Sequence, residues 1–433
     1  MITSLPIAAS LDIPLTMPVA VPFDVPCDVP LDVPARPAGT ATDRTPVGGP
    51  YTPARVGAVF AALIASGRLD LPLPAAGATA ARWRALADLA AFDVTLARLA
   101  QAHTSAAAIL MKSAGPAPEH DQRWGLWATE DPIGSLVARR GRGGWTIHGA
   151  RASCPGAHVL THALVAARVI ADGSEDARND TRNDTREGTI GLFAVRLNER
   201  NVAVATAGSH GPDRSDASDA SAFQAMTGAD TATVLFDGAP AIPVGEPGWS
   251  TGSTGSTGGS APDAAYLDQP IFWHTRVDIA ACWFGGATGI ARTLFAAGHT
   301  DHEGEAGHLA GRTERTERRL DIHALEHLGR VDAVLMAMRC VLETAAREMD
   351  ADPDDVGRSA RRRALRVRAN IEAGATEVLD RVGRALGPGP LCADRGYAQR
   401  VADLGAYLRQ NRAERDLTDL AAVVLEDLDP LWW

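Results

Sequence analysis

The spacing of hydrophobic positions changes character twice along the chain. From about residue 54 it is helical, with Val56, Phe60, Leu63 and Ile64 on one face. A second helical stretch, about 80–111, carries Trp83, Leu86, Leu89, Phe92, Leu96 and Leu99 at spacings of three and four and is rich in alanine. After Pro116 the runs become short and β-like: Trp145 to His148, Ala163 to Ile170, Ile190 to Val195, Val202 to Thr206 and Thr231 to Phe236. Gly and Asp separate them, which predicts an antiparallel β domain. From about 271 the helical period returns. Leu325, Leu328, Val331, Val334, Leu335, Met338, Val341, Leu342 and Ala345 form one stripe, and further helices are expected at about 276–297, 357–386 and 396–425. Four long helices in succession predict a bundle. The expected fold class is α+β: an N-terminal helical domain (51–120), a central antiparallel β domain (121–245), a Gly/Ser/Thr linker (246–270) and a C-terminal four-helix bundle (271–433).

Residues 1–50 break this pattern with LDIP, FDVP, CDVP and LDVP repeats. Proline fixes φ and removes a donor, so the expectation is a disordered Pro-rich tail, with a docking peptide as the second reading. Polar inserts at 178–187, 215–221 and 250–259 read as expansions of surface loops. At 433 residues the chain is long enough for two or three structural regions, and 45% apolar with 22% charged residues is ordinary for a globular protein. A net charge of −11 argues against a nucleic-acid binder. Lys112 is the only lysine, so arginine dominates the basic residues throughout. The five cysteines are scattered without a CxxC pair, which argues against a structural metal and fits a reducing compartment. No uninterrupted apolar run suggests a membrane span and no signal peptide is read, so a cytoplasmic location is expected.

Three ordered segments narrow the picture: WATEDPIGS (127–135), GWTIHGARASCPGAHVLTHALVAARV (144–169) and MTGADTATVLFDG (226–238). With the helical–β–helical order and RALGPGPLCADRGYAQRVADLGAYLRQNRAERDLTDLA (384–421), the chain resembles the acyl-CoA dehydrogenase superfamily over about 55–430. The resemblance implies FAD between the β domain and the bundle, and oxidation of an acyl-CoA at Cα–Cβ. A carboxylate would take the α proton as hydride passes to the flavin. It places Thr129 as a hydroxyl on the flavin ring, the backbone of Ala128 along the ring edge, and Ser135 near CoA or a flavin phosphate. The local alternative for 129–135 is a β-turn, since Asp-Pro-x-Gly is good turn chemistry. Ser153 stands where the family has Trp or Phe against the flavin. Cys154 and Pro155 replace Ile and a hydroxyl residue, and Pro155 has no N–H to offer. Gly387 and Gly389 resemble the family's Gly-Gly-x-Gly beside the FAD adenylate of a neighbouring subunit, or else form a helix C-cap and turn.

The resemblance also implies a base, and the residues depart from it. The family's glutamate slot falls near Asn411, which cannot take a proton at neutral pH. The alternative slot, on the helix 276–292, falls on Gly285 and Gly286. Glu414 lies about one helical turn beyond Asn411 and is the candidate catalytic base, flanked by Arg412 and Arg415, which would weaken it. The Arg-rich run 358–368 reads as a solvated helix face. Three functions stay open: an FAD-dependent acyl-CoA dehydrogenase-like enzyme with an atypical base, a flavin-dependent monooxygenase-type member, and a non-catalytic or flavin-free descendant. The partners implied are acyl-CoA or a related small molecule and further copies of the chain, as a homodimer or homotetramer, with no nucleic acid.

Overall fold

The computed structural model describes residues 52–113, 115–128, 136–170, 190–205, 225–245, 269–299, 320–354 and 358–426. The Pro-rich tail, the three polar inserts, Thr129, Ser135 and the two terminal tryptophans lie outside the described residues.

Three helices come first: α1 (Pro53–Ala65), α2 (Thr79–Phe92) and α3 (Val94–Lys112). Thr52 caps α1, with Pro53 in its first turn, and the four residues expected on its apolar face are all buried. The single stretch expected over 80–111 is two helices. Asp93 turns extended (φ −150°, ψ 115°) and its Oδ1 accepts from the backbone N–H of Thr95 and Leu96. An aspartate so placed ends one helix and starts the next.

Seven strands follow: β1 (Trp124–Trp127), β2 (Leu136–Gly141), β3 (Gly144–Cys154), β4 (His162–Ile170), β5 (Ile190–Arg196), β6 (Val202–Val204) and β7 (Ala232–Val244). The sheet is not purely antiparallel as expected. One edge of β4 pairs in parallel with β1 at 162–165 and with β2 at 168–170, while its other edge pairs antiparallel with β5. β2–β3, β3–β7 and β7–β5 are antiparallel and close the sheet on itself. β4 therefore has partners on both edges, and closure leaves neither edge exposed. The barrel packs on α3 through a core that includes Ile109, Leu110, Trp124, Leu164 and Leu192.

The C-terminal part is helical: α4 (Pro270–His299), α5 (Ile322–Ala351), α6 (Arg358–Leu386), α7 (Gly389–Ala393), α8 (Arg395–Arg409) and α9 (Ala413–Glu426). The helix expected over 396–425 is interrupted at 410–412, where Asn411 Oδ1 accepts from the Arg368 guanidinium. The α5 stripe faces α6 except at its start, where Leu325 is exposed. By length and composition α4 passes for a membrane span, with mean hydropathy 1.2 over its best 18-residue window, of which 56% is buried within the protein. Interspersed Ala and Cys raise its hydropathy without forming a run of large apolar side chains. Its central turns pack against α2 and α6.

A buried polar network fixes α2, α3 and α4 to one another. Asp278 on α4 accepts from Arg82 Nε and Nη2 and from Trp83 Nε1 on α2, and from Ser105 Oγ on α3, at 2.7–3.1 Å. Arg82 spends further donors on Thr104 Oγ1 and the Pro72 carbonyl. Arg82 and Asp278 are both essentially inaccessible to water. Replacing Asp278 by Ala strands a buried guanidinium and two further donors, so we predict a loss of about 3–5 kcal/mol, read as a shift of the urea midpoint. A midpoint left in place by Asp278→Ala would show that the network is dispensable.

His103 on α3 accepts from the backbone N–H of Trp124 through Nδ1 at 3.2 Å. Burial first, and then the Arg82 charge, lower its pKa from 6.5 to about 4. The folded pKa lies below the unfolded one, so this stabilisation is complete above pH 6.5 and is lost as pH falls toward 4. The expected loss across that window is up to about 3 kcal/mol. His103→Asn, which keeps an acceptor and cannot titrate, should flatten that part of a stability–pH curve.

Candidate functional site

The seam between the barrel and the helices is built from one irregular strand end and one turn. In β3 the ladder with β7 slips between Arg151 and Cys154, leaving Ala152 and Ser153 bulged and exposed. Ser153 sits at φ +56°, a left-handed conformation uncommon for serine. Cys154 turns inward and is fully buried, and burial pushes its thiol up to about 12. It is a small apolar filler rather than a nucleophile. The Pro155 carbonyl accepts from Trp127 Nε1 at 3.1 Å, which holds the end of β1 beside the bulge. Ala128, next along, is buried in the barrel core.

The turn Met226–Asp230 docks onto this wall. Gly156 N–H donates to the Ala229 carbonyl at 2.7 Å and Ala157 N–H to the Asp230 carbonyl at 3.1 Å. The Asp230 carboxylate accepts from His158 N–H and pairs with His158 Nδ1 at 2.9 Å. Asp403 on α8 accepts from Met226 N–H, which ties the turn to the helical layer. Of the four described non-glycine residues with positive φ, Ser153, Met226 and Asp230 lie here. Strain of this kind concentrates where structure is committed to a task beyond stability.

Both positions at which the sequence expects a base are occupied differently. Gly285 and Gly289 let α4 approach α2 closely: a Cβ on Gly285 would stand 2.1 Å from the Ala87 carbonyl oxygen, and one on Gly289 2.4 Å from that of Ala91. A Cβ on Gly286 would meet Leu404 and Val94 at 3.0 Å. A glutamate at 285 would require α2 to move, and one at 286 would require Leu404 and Val94 to shift. At the other slot Asn411 is held by Arg368 of α6. Arg368 also bonds Asp416 at 2.8 Å, and Arg276 lies 3.7 Å from the same carboxylate. Asp416 is thus the buried acid of the region, engaged by two arginines. Glu414 is exposed in the first turn of α9, where a carboxylate suits the helix dipole.

Sequence reasoning missed Arg368, assigning its run to a solvated face, whereas it is 5% exposed. The signal was present: Arg368 continues the stripe Ala360, Ala364, Ile371 and Ala375, so an apolar face contains one cation. Trp283 on α4 was also overlooked. Its ring meets Tyr407 edge to face at 6.1 Å, with the Arg368 guanidinium 5.3 Å from its centroid. Gly387 takes φ +65° and its N–H bonds the Gly383 carbonyl, so the helix C-cap is observed. A Cβ at Gly387 or Gly389 would meet nothing within the chain. Among the described residues no group of three or more His, Cys, Asp or Glu could hold a metal.

The fold recurs in known structures. Dibenzothiophene monooxygenase TdsC from Paenibacillus sp. A11-2 superimposes with a TM-score of 0.61 at 16% identity, covering 87% of this chain and 91% of that one. Butyryl-CoA dehydrogenase from Megasphaera elsdenii gives 0.61 at 13% identity, covering 87% and 90%. The chain has the acyl-CoA dehydrogenase fold. KijD3, solved with FMN and a dTDP-linked amino-keto sugar, shares the fold at a TM-score of 0.58 and 18% identity, covering 86% and 87%. No family model and no curated protein matches the sequence. In this chain the end of β3 is bulged, and neither expected slot holds a free buried carboxylate.

Left-handed φ disfavours serine by about 1 kcal/mol relative to glycine. Ser153→Gly should therefore raise the stability of the ligand-free protein by about that amount, measured as the thermal midpoint. An unchanged or lower midpoint would mean that the serine side chain contributes a contact that outweighs the strain.

Proposed function

We propose that this protein is a flavin-dependent oxidoreductase that binds its flavin at the seam between barrel and helices, and that its chemistry is of the monooxygenase type. The bulge supports the flavin site: Ala152 and Ser153 present peptide groups released from the ladder, beside the backbone of Ala128 and the segment that contains Thr129 and Ser135. Those residues, with the Pro155 turn, would hold the ring. Gly387 and Gly389 would admit the adenylate if the group is FAD. The structures of TdsC and KijD3 contain FMN, and the sequence resemblance implies FAD. When bound, the flavin supplies two-electron transfer and, in a monooxygenase, activation of oxygen.

The observation that carries the monooxygenase reading is the fate of the base. Abstraction of an α proton needs a carboxylate free to accept it. Asn411 occupies one slot, Gly285 and Gly286 leave no room in the other, and Asp416 is committed to Arg368 and Arg276. Oxygen transfer needs no such base. What the chain's own residues do is orient a substrate between Trp283, Tyr407 and the ring, and keep water out of the seam. Acyl-CoA oxidation is the second reading, favoured by the fold shared with butyryl-CoA dehydrogenase and by Glu414, one turn from Asn411. On that reading further copies of the chain would complete the FAD site as a homodimer or homotetramer.

The test is spectroscopic. Purified protein, as isolated or after addition of FMN or FAD, should show the visible absorption of bound flavin, and butyryl-CoA under anaerobic conditions should leave it unbleached. Chemically reduced protein should reoxidise rapidly on admission of oxygen. Bleaching by butyryl-CoA would overturn the monooxygenase reading, and failure to retain either flavin would overturn the flavin site altogether.

A further inference from the structure

Two buried donors next to the expected base slot have no oxygen or nitrogen acceptor. Among the described residues Trp283 Nε1 has no hydrogen-bond partner and Tyr407 Oη meets only the Cys282 thiol, a weak sulfur partner, although the two side chains are only 1% and 2% exposed. They are neighbours, packed edge to face. A buried donor left unpaired is destabilising, and native structures seldom tolerate it. Two adjacent ones point to an acceptor that the described residues do not supply.

The surroundings say what kind of acceptor. From α3, the Arg98 guanidinium lies 5.9 Å from the Tyr407 ring centroid. From α6, Arg368 lies over Trp283. From α9, the Asp416 carboxylate is engaged by Arg368 and Arg276. The Asn411 oxygen is engaged by Arg368. On α4 itself, the Cys282 thiol beside Tyr407 is kept protonated by burial. The acceptors here are occupied while donors and cations remain. Burial holds the Tyr407 phenol well above its ordinary range, so it donates at neutral pH. A dehydrogenase would need a proton acceptor at this position, and this chain presents the opposite polarity.

We propose that Trp283 N–H and Tyr407 O–H form a subsite for an anionic oxygen of the substrate, a carboxylate, enolate or phenolate, placed between Arg98 and Arg368. The proposal rests on the flavin reading only in taking this to be the substrate side of that site. A site built from such donors discriminates sharply against an analogue that cannot satisfy them.

Calorimetric titration of the full-length protein with benzoate and with 4-cyanophenolate, each ionised, against methyl benzoate and 4-cyanoanisole, tests it. At least one anion should bind about tenfold or more tightly than its neutral counterpart, and Tyr407→Phe should remove most of that preference. In the ligand-free protein Tyr407→Phe should leave the thermal midpoint unchanged or higher, since it deletes a buried hydroxyl whose partner is a weakly bonding thiol. A tyrosine with a merely structural role would lower the midpoint and leave the preference intact. Trp283→Phe provides the second variant. Equal binding of anion and neutral partner, no binding of either pair, or an unaltered preference in both variants would overturn the proposal. Flavin content is read in the same preparations: flavin-loaded protein without anion preference overturns this inference alone, whereas anion preference in protein that takes no flavin overturns only the flavin reading.

Discussion

The carboxylate of Asp278 is the constraint on which the arrangement of the helices depends. It receives donors from α2 and α3 while sitting on α4, so three helices are fixed around one charge. Burying that charge is favourable only because every lone pair has a partner. Two turns further along α4, Gly285 and Gly289 bring its backbone against Ala87 and Ala91 of α2. The polar network sets the register of α4, and the glycines set its distance. Together they determine which residues α4 presents to the seam: Cys282 and Trp283 follow Asp278 by one turn, and the next turn is given over to helix contact. A glutamate on α4 is excluded by this packing rather than merely absent from the sequence.

That exclusion explains the polarity of the site. With the α4 slot closed, a carboxylate base could come from the segment after α8. There Asn411 and Asp416 are drawn to Arg368, and the interruption between α8 and α9 lies at that contact. Arg368 lies in the apolar stripe of α6 and cannot reach water, so it must be satisfied by groups on neighbouring elements. It takes the acid and the amide that stand nearest. One buried guanidinium thus closes the bundle and removes the acceptors from the site.

Much of the fold was legible in the sequence because its signals are periodic. The buried face of α1, the strands β4 and β5, and the helical C-terminal part follow from spacing alone, and the order of three segments led to the superfamily. The losses have distinct causes. Asp93 reads as one polar residue in a long helical stretch, and only its side-chain bonds to Thr95 and Leu96 make it a boundary. β1, four residues long, carries too few positions to show a period. The parallel pairing of β4 with β1 and β2 is a tertiary choice that alternation cannot encode. Within the site, the departures at Ser153, Pro155 and Asn411 were readable as departures. Their partners were not, because Trp127 and Arg368 are distant in sequence or masked by an ordinary context.

Pro155 has no N–H, so the strand cannot offer the donor that a hydroxyl residue with a free amide would supply there. The chain instead uses the Pro155 carbonyl to anchor Trp127 and releases Ala152 and Ser153 from the ladder one turn earlier. The regular ladder is broken there at the expense of a left-handed serine. A wall that gives up one regular donor and strains its neighbour to expose others is costly for stability alone. It becomes intelligible if the exposed peptide groups are matched to something that the folded chain does not itself contain.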